Sequence, residues 1–290
     1  MTELFDQYDY THQRIQNSLV LAYLKEGSVN AILPQFPEVP EQTAHNWLDA
    51  YDIVKLQGRK PNPLGSVLYF LSQWVAAKDI PLERWYREYT PHRIREALST
   101  PSLHRVVDHI RRLTTRLSAT ALIITPQDAP EHILVGHDIT TPNPQVGKTF
   151  GSLSLPMTYS NTGEPPQLSI KRVLQQEVFS NLVLSKDFPD WLIPNKLQPF
   201  MHVTVADVDV AAYHLQIPWE LTNSFSSPKL DGLKLTPLDQ LLKYHPLDAS
   251  IRSGVVEIAS GHSSYINQPQ TEPITWALSR LNEEILLARL

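Results

Sequence analysis

The stretch LPMTYSNTGEPPQLSIKRVLQQEVF, Leu155–Phe179, decides how this chain is read. It opens at the end of an alternating segment, Phe150–Leu155, whose period of two marks a strand. It then turns at Gly163-Glu164 and enters a helix predicted from Pro166 to Leu184, proline being tolerated in a first helical turn. Outward from it, Ala119–Ile124 is a short buried-strand run, Thr125–Pro130 is turn-like and His132–Val135 is a second strand, so the two predict a hairpin. Pro142, Asn143 and Pro144 mark a loop, and Phe200–Val210 is β-branched enough to predict one long strand. Strands, a helix and a further strand make a mixed sheet with helices packed on it.

Upstream the period changes to that of helices. Thr2 caps a segment carrying Ile15, Leu19, Leu21 and Leu24, which Gly27 stops. Leu33–Pro40 holds three prolines and predicts an extended connector. A second helix is predicted over Thr43–Gln57 and a third over Pro63–Lys78, followed by a shorter one around Leu82–Tyr86. Thr90-Pro91 and Thr100-Pro101 open two more, His92–Leu98 and Leu103–Leu117. The expected organisation is a helical domain at 1–116, an α+β domain at 117–262, and a C-terminal apolar helix within 263–290. That last helix, Glu272–Leu290, suits either the core or a second copy of the chain.

Composition removes several chemistries. The 290 residues include no Cys, which excludes disulfides, thiolate metal sites and cysteine nucleophiles. Only 10 Gly against 24 Pro leaves little from which to build glycine-rich phosphate cradles. Gly147-Lys148-Thr149 mimics the end of such a loop, but position 142, where the pattern needs glycine, is Pro, and a strand rather than a helix follows. The net charge of −5 argues against nucleic-acid binding by the chain as a whole. Residues 82–116 differ, with eight Arg against four acids. Arg105, Arg111, Arg112 and Arg116 are the candidate nucleic-acid contacts there, against a plainer reading of solvated Arg–Glu pairs such as Arg84–Glu88. The acidic start and the lack of a long apolar run predict a soluble cytoplasmic protein with no membrane partner.

The stretch quoted first also resembles a degenerate Nudix box, a glycine, five residues, Glu, seven residues, then Arg-Glu-aliphatic-x-Glu-Glu-x-Gly. Pro156 stands where the family's Pro-Gly-Gly begins, and Gly163-Glu164 matches the loop end. Arg172 falls eight residues after Glu164, Leu174 takes the aliphatic position, and Glu177 the last acid. Asp231–Leu242 resembles the family's closing strand and capped helix, so the likeness spans roughly 118–262. It implies a Nudix-like α/β/α sandwich with a mixed sheet, behind an all-α N-terminal domain. In the family, glutamates on one helix face hold Mg²⁺ or Mn²⁺ for attack by water on a diphosphate.

The departures from that pattern fall on the chemistry. The matching positions are Val173, Gln176 and Glu177, so one carboxylate remains where hard cations need several oxygen donors. Met157, Thr158 and Phe179 occupy positions where the family spends glycine. Glu164 and Arg172 are expected to survive as a scaffold ion pair, while Glu177 reads either as a residual metal ligand or as an ordinary exposed acid. The resemblance therefore implies a pseudoenzyme that binds a nucleotide, RNA or a protein partner. The alternative is an active hydrolase of nucleoside diphosphate-linked substrates, using Mg²⁺ or Mn²⁺ on ligands drawn from Glu164, Asp207, Asp209 and Glu220. A third reading is structural, an oligomer formed through the C-terminal helix.

Overall fold

The structure, a computed structural model, describes residues 2–57, Arg84, Glu88, and 117–143, 146–206, 208–246, 248–267 and 274–287. Helix α1, Thr2–Glu26, ends where predicted. Gly27 adopts φ +70° and its N–H bonds the Tyr23 carbonyl at 2.7 Å. The proline-bearing connector is less extended than expected, since it contains a short helix α2, Val29–Ile32, and a 3₁₀ turn at Leu33–Gln35. Helix α3, Glu41–Ala50, is shorter than the predicted Thr43–Gln57. It closes in a Schellman arrangement, with Asp52 at φ +52° and the Ile53 N–H on the Leu48 carbonyl at 3.0 Å. Leu19, Val20, Tyr23 and Leu24 of α1 bury against Val29, Ile32, Ala44 and Leu48. Of the arginine-rich segment only Arg84 and Glu88 are described; both are helical and pair at 3.1 Å. The other helices predicted between 63 and 116 lie outside the described residues.

Strand β1, Leu117–Pro126, is buried along most of its length, as a central strand must be. Strand β2, His132–Asp138, does not form the predicted hairpin with it. Pro126 has no N–H to extend the ladder, and the next five residues carry the chain over to a separate sheet. Strand β3 is only Leu153–Ser154, and β4, Met157–Ser160, pairs antiparallel with β1. Helix α4, Pro166–Glu177, stops earlier than predicted. Val178 and Phe179 bridge to Ser226 before a short helix α5, Ser180–Ser185, resumes the path.

The predicted long strand at 200–210 is a hairpin, β5 at Met201–Val205 and β6 at Val208–Ile217, turning at Ala206 with φ +57°. Strand β7, Leu230–Pro237, leads into helix α6, Leu238–Leu241, and α7 spans Val255–Asn267, past the expected boundary at 262. The C-terminal segment is not a single helix. Thr275–Leu278 forms β8 along β5, and helix α8, Arg280–Leu287, starts only after Ser279. The open edge of β5 accounts for this, because pairing there satisfies backbone groups that a helix would leave exposed.

The sheets are ordered β4-β1-β6-β5-β8 and β3-β2-β7. β1 and β6 run parallel over ten residues from Leu117↔Val208 to Pro126↔Ile217. Alternate residues of β1 serve two cores, Ala119, Ala121 and Ile123 facing α7 and its neighbours, Leu122 and Ile124 facing α4. The architecture is therefore α+β, a mixed sheet between helices with a helical region before it. No described helix is long and apolar enough to cross a membrane.

Candidate functional site

The loop between β4 and α4 is held by Arg172, whose side chain is fully buried. Its guanidinium engages both Glu164 oxygens, Nη1 to Oε2 at 2.8 Å and Nη2 to Oε1. It also donates to the carbonyls of Tyr159 at 3.1 Å, Val54 at 3.3 Å and Lys55 at 3.4 Å. One planar fork thus ties the loop, the helix and the segment after α3 together. Gly163, at φ +70°, turns the loop in front of Glu164. The Pro156 carbonyl accepts from Leu122 N at 2.9 Å, and Leu174 is core.

The three positions matching metal ligands have other employment. Val173 is fully buried in the core between α4 and the sheet. The Gln176 side-chain oxygen accepts a hydrogen bond from Lys229 Nζ at 2.5 Å. Glu177 is buried rather than exposed, and its Oε2 accepts from Met157 N at 2.7 Å. Burial pushes the Glu177 carboxyl up and the Lys229 amine down, while their mutual attraction opposes both shifts.

Glu177 looks into an open pocket of about 250 Å³ that Asp138, Lys148, Lys229 and Arg252 also line. Lys148 Nζ and Arg252 Nη1 each stand 3.4 Å from the same Asp138 oxygen, Oδ2. The other oxygen, Oδ1, is already filled by Thr140 N at 2.9 Å and Thr140 Oγ1 at 2.7 Å. Lys148 also donates to Thr140 Oγ1. Burial lowers the Lys148 amine, and the adjacent Arg252 lowers it further. Lys25 and Glu26 line it as well, so four cations meet three carboxylates around the pocket. The chemistry suits an anion, whereas a magnesium ion would meet two buried carboxylates that are already engaged, Glu177 on the Met157 amide and Asp138 on Thr140, Lys148 and Arg252, with three positive side chains beside them. The residues present do not fit that metal.

The other candidates do not join this pocket. Glu164 is spent on Arg172, Asp209 Oδ1 bonds His202 Nδ1 at 3.0 Å, and Glu220 lies exposed in the 3₁₀ turn Trp219–Ser224. Asp207, Arg105, Arg111, Arg112 and Arg116 lie outside the described residues. Among the described residues no group of three or more His, Asp or Glu is arranged to hold a metal ion. Sequence reasoning missed Lys229 and Arg252 altogether. It set Lys148 aside with the false phosphate loop, although its side chain does reach the pocket.

No family model matches this chain, and no curated protein does. Solved structures similar to it include a MutT protein from Methanosarcina mazei, 11% identical over 53% of this chain and 98% of that one, with a TM-score of 0.36. An Ap4A hydrolase from C. elegans is 12% identical over 52% of this chain and 98% of its own, with a TM-score of 0.35. An ADP-ribose pyrophosphatase from Streptococcus suis is 12% identical over 57% and 99%, with a TM-score of 0.34. Each of these likenesses covers about half of this chain.

Proposed function

We propose that this chain is a non-catalytic Nudix-type module that binds a nucleotide through its phosphates, with its hydrolase centre decayed. The observation that carries the reading is the state of the box face. Gln176 gives its oxygen to the ammonium of Lys229, and Glu177, the last acid, is buried on the Met157 amide. Neither group is left to gather the Mg²⁺ or Mn²⁺ that water attack on a diphosphate would need. A nucleotide is favoured over RNA or a protein partner because the pocket is small, about 250 Å³, and Lys148, Lys229 and Arg252 converge on it.

The test is turnover over a panel of nucleoside diphosphate-linked substrates with Mg²⁺ and then Mn²⁺. The expected result is no release of product above buffer. Metal-dependent turnover that Glu177→Gln abolishes would overturn the reading in favour of a hydrolase.

A further inference from the structure

We infer that the pocket beside Glu177 is a metal-independent diphosphate site, in which Lys148 and Arg252 take the anion directly and Lys229 fills the place of a metal ion. The inference rests on the reading of the pocket as a phosphate-binding one and names how it would bind. Its first support is the like-charged pair. Two cations held side by side repel one another, and such a pair persists only where surrounding structure enforces it. Here the backbone enforces it. Gly147, at φ +59°, lies so close to Ser253 that an added Cβ would stand 1.8 Å from Ser253 Oγ. Ser253 N bonds the Gly147 carbonyl at 3.2 Å, and Arg252 N bonds the Leu153 carbonyl at 2.9 Å. Asn143 and Lys148 exchange both backbone hydrogen bonds, at 2.9 and 3.1 Å. The two side chains therefore reach the pocket from anchored neighbours.

The second support is that their charge is only partly answered. Both stand 3.4 Å from one Asp138 oxygen, which is long for a charge-assisted hydrogen bond. Both side chains keep 15% exposure at the pocket, where an entering anion can meet them. A diphosphate offers several oxygens to the guanidinium fork and the ammonium together, where Asp138 offers one. The third support is Lys229. Its Nζ, held on the Gln176 oxygen, occupies the face where the resemblance expects a dication, and the neighbouring Glu177 favours its charged form against burial. A divalent ion placed there would be repelled by all three cations.

The experiment is isothermal titration of inorganic pyrophosphate into the full chain, once in EDTA and once in Mg²⁺. Binding is expected in EDTA, with no gain from Mg²⁺. Lys148→Gln should weaken it by about tenfold or more, and Lys148→Arg should keep it within a few-fold. Asp138→Asn, which keeps the shape and removes the competing charge, should tighten binding by about tenfold. A purely structural role for Asp138 would not produce that gain. Absence of binding in EDTA overturns the inference, as does affinity unchanged by Lys148→Gln. Should Lys148→Gln fail to fold, Asp138→Asn decides, and unchanged or weaker binding overturns it. The two readings fail separately. Metal-dependent turnover removes the non-catalytic reading whatever the EDTA titration shows. Loss of EDTA binding without turnover removes only the metal-free site.

Discussion

At the scale of single residues, Arg172 and His262 are buried polar groups with opposite degrees of satisfaction. Arg172 donates to Glu164 and to three backbone carbonyls, so its removal leaves a buried carboxylate without its counter-charge, held only by Asn161, and those carbonyls without a donor. Arg172→Ala should therefore cost about 3–5 kcal/mol in urea unfolding. Arg172→Lys should recover only part of this, because an ammonium cannot span both Glu164 oxygens and the carbonyls at once. His262 is fully buried on α7 beside His214, ring centroids 4.6 Å apart, and neither of its ring nitrogens has a hydrogen-bond partner. Burial lowers His214 to about 4, and burial with its neighbour lowers His262 to about 3, both from 6.5. The unfolded chain takes up these protons below pH 6.5 and the folded chain does not. Stability should then be whole above pH 6.5 and decline as the pH falls toward 4 and 3, by up to about 1.4 kcal/mol per pH unit for each histidine. His262→Leu should flatten that decline and raise the urea midpoint at pH 5 above that of the parent chain. A midpoint equally pH-sensitive in both chains would show that the acid loss arises elsewhere.

At the scale of elements, Val146–Lys148 and the turn before α7 act as one device, and Gly147 is its tightest point. Gly147→Ala meets both a positive φ and the Ser253 side chain, so it should destabilise the chain by about 1–3 kcal/mol. It should also weaken pyrophosphate binding, since Lys148 follows it directly. Ser253→Gly removes the clash but not the backbone strain, and the double variant should regain roughly half of the lost stability, a coupling that a double-mutant cycle reads. This device also shows why the site was only half legible in the sequence. The Glu164–Arg172 pair lies within one loop and helix, and the resemblance to the Nudix box implied it. Lys148, Lys229 and Arg252 come from three distant segments, and their convergence depends on tertiary packing that no local period encodes. Element types were clearer than pairings. The burial of β1 was readable from Ala119–Ile124, but its parallel partner β6 lies about ninety residues on, and the local turn suggested β2 instead. In the C-terminal segment, Ile274, Trp276 and Leu278 alternate with a strand's period of two, but they run straight on into Leu281, Ile285 and Leu286, and reading the whole apolar run as one helix hid the strand that pairs with β5.

At the scale of the whole molecule, the described N-terminal helices share a core with the α+β body. Val183 of α5 is buried among Leu19, Tyr23, Leu48 and Ile53, and Leu184 and Phe188 pack beside it. The polar seam is as extensive. Gln175 of α4 accepts from Val54 N at 3.0 Å and donates to the Asp52 carbonyl at 2.8 Å. Asn161 in the box loop accepts from Gln57 N at 2.9 Å, and Arg172 reaches Val54 and Lys55 from the same side. α4 is buried almost all round for this reason, with sheet on one side and the 51–57 segment on another. Separating the two parts would expose Val183 and leave the Arg172 and Gln175 partners without hydrogen bonds, each a cost of about 1–3 kcal/mol for a buried group. Such a seam couples the parts, so α1 and β1 should open together rather than in sequence. Amide exchange in sub-denaturing urea checks this, with Leu19–Leu24 and Ala121–Ile124 expected to report the same opening free energy. Gln175→Leu should lower both values by about 2 kcal/mol, because it strands the Val54 amide and the Asp52 carbonyl. If α1 exchanged through a cheaper opening that Gln175→Leu left unchanged, the N-terminal helices would be a separate unit resting on the sheet domain, and the all-round burial of α4 would contribute nothing to its cooperativity.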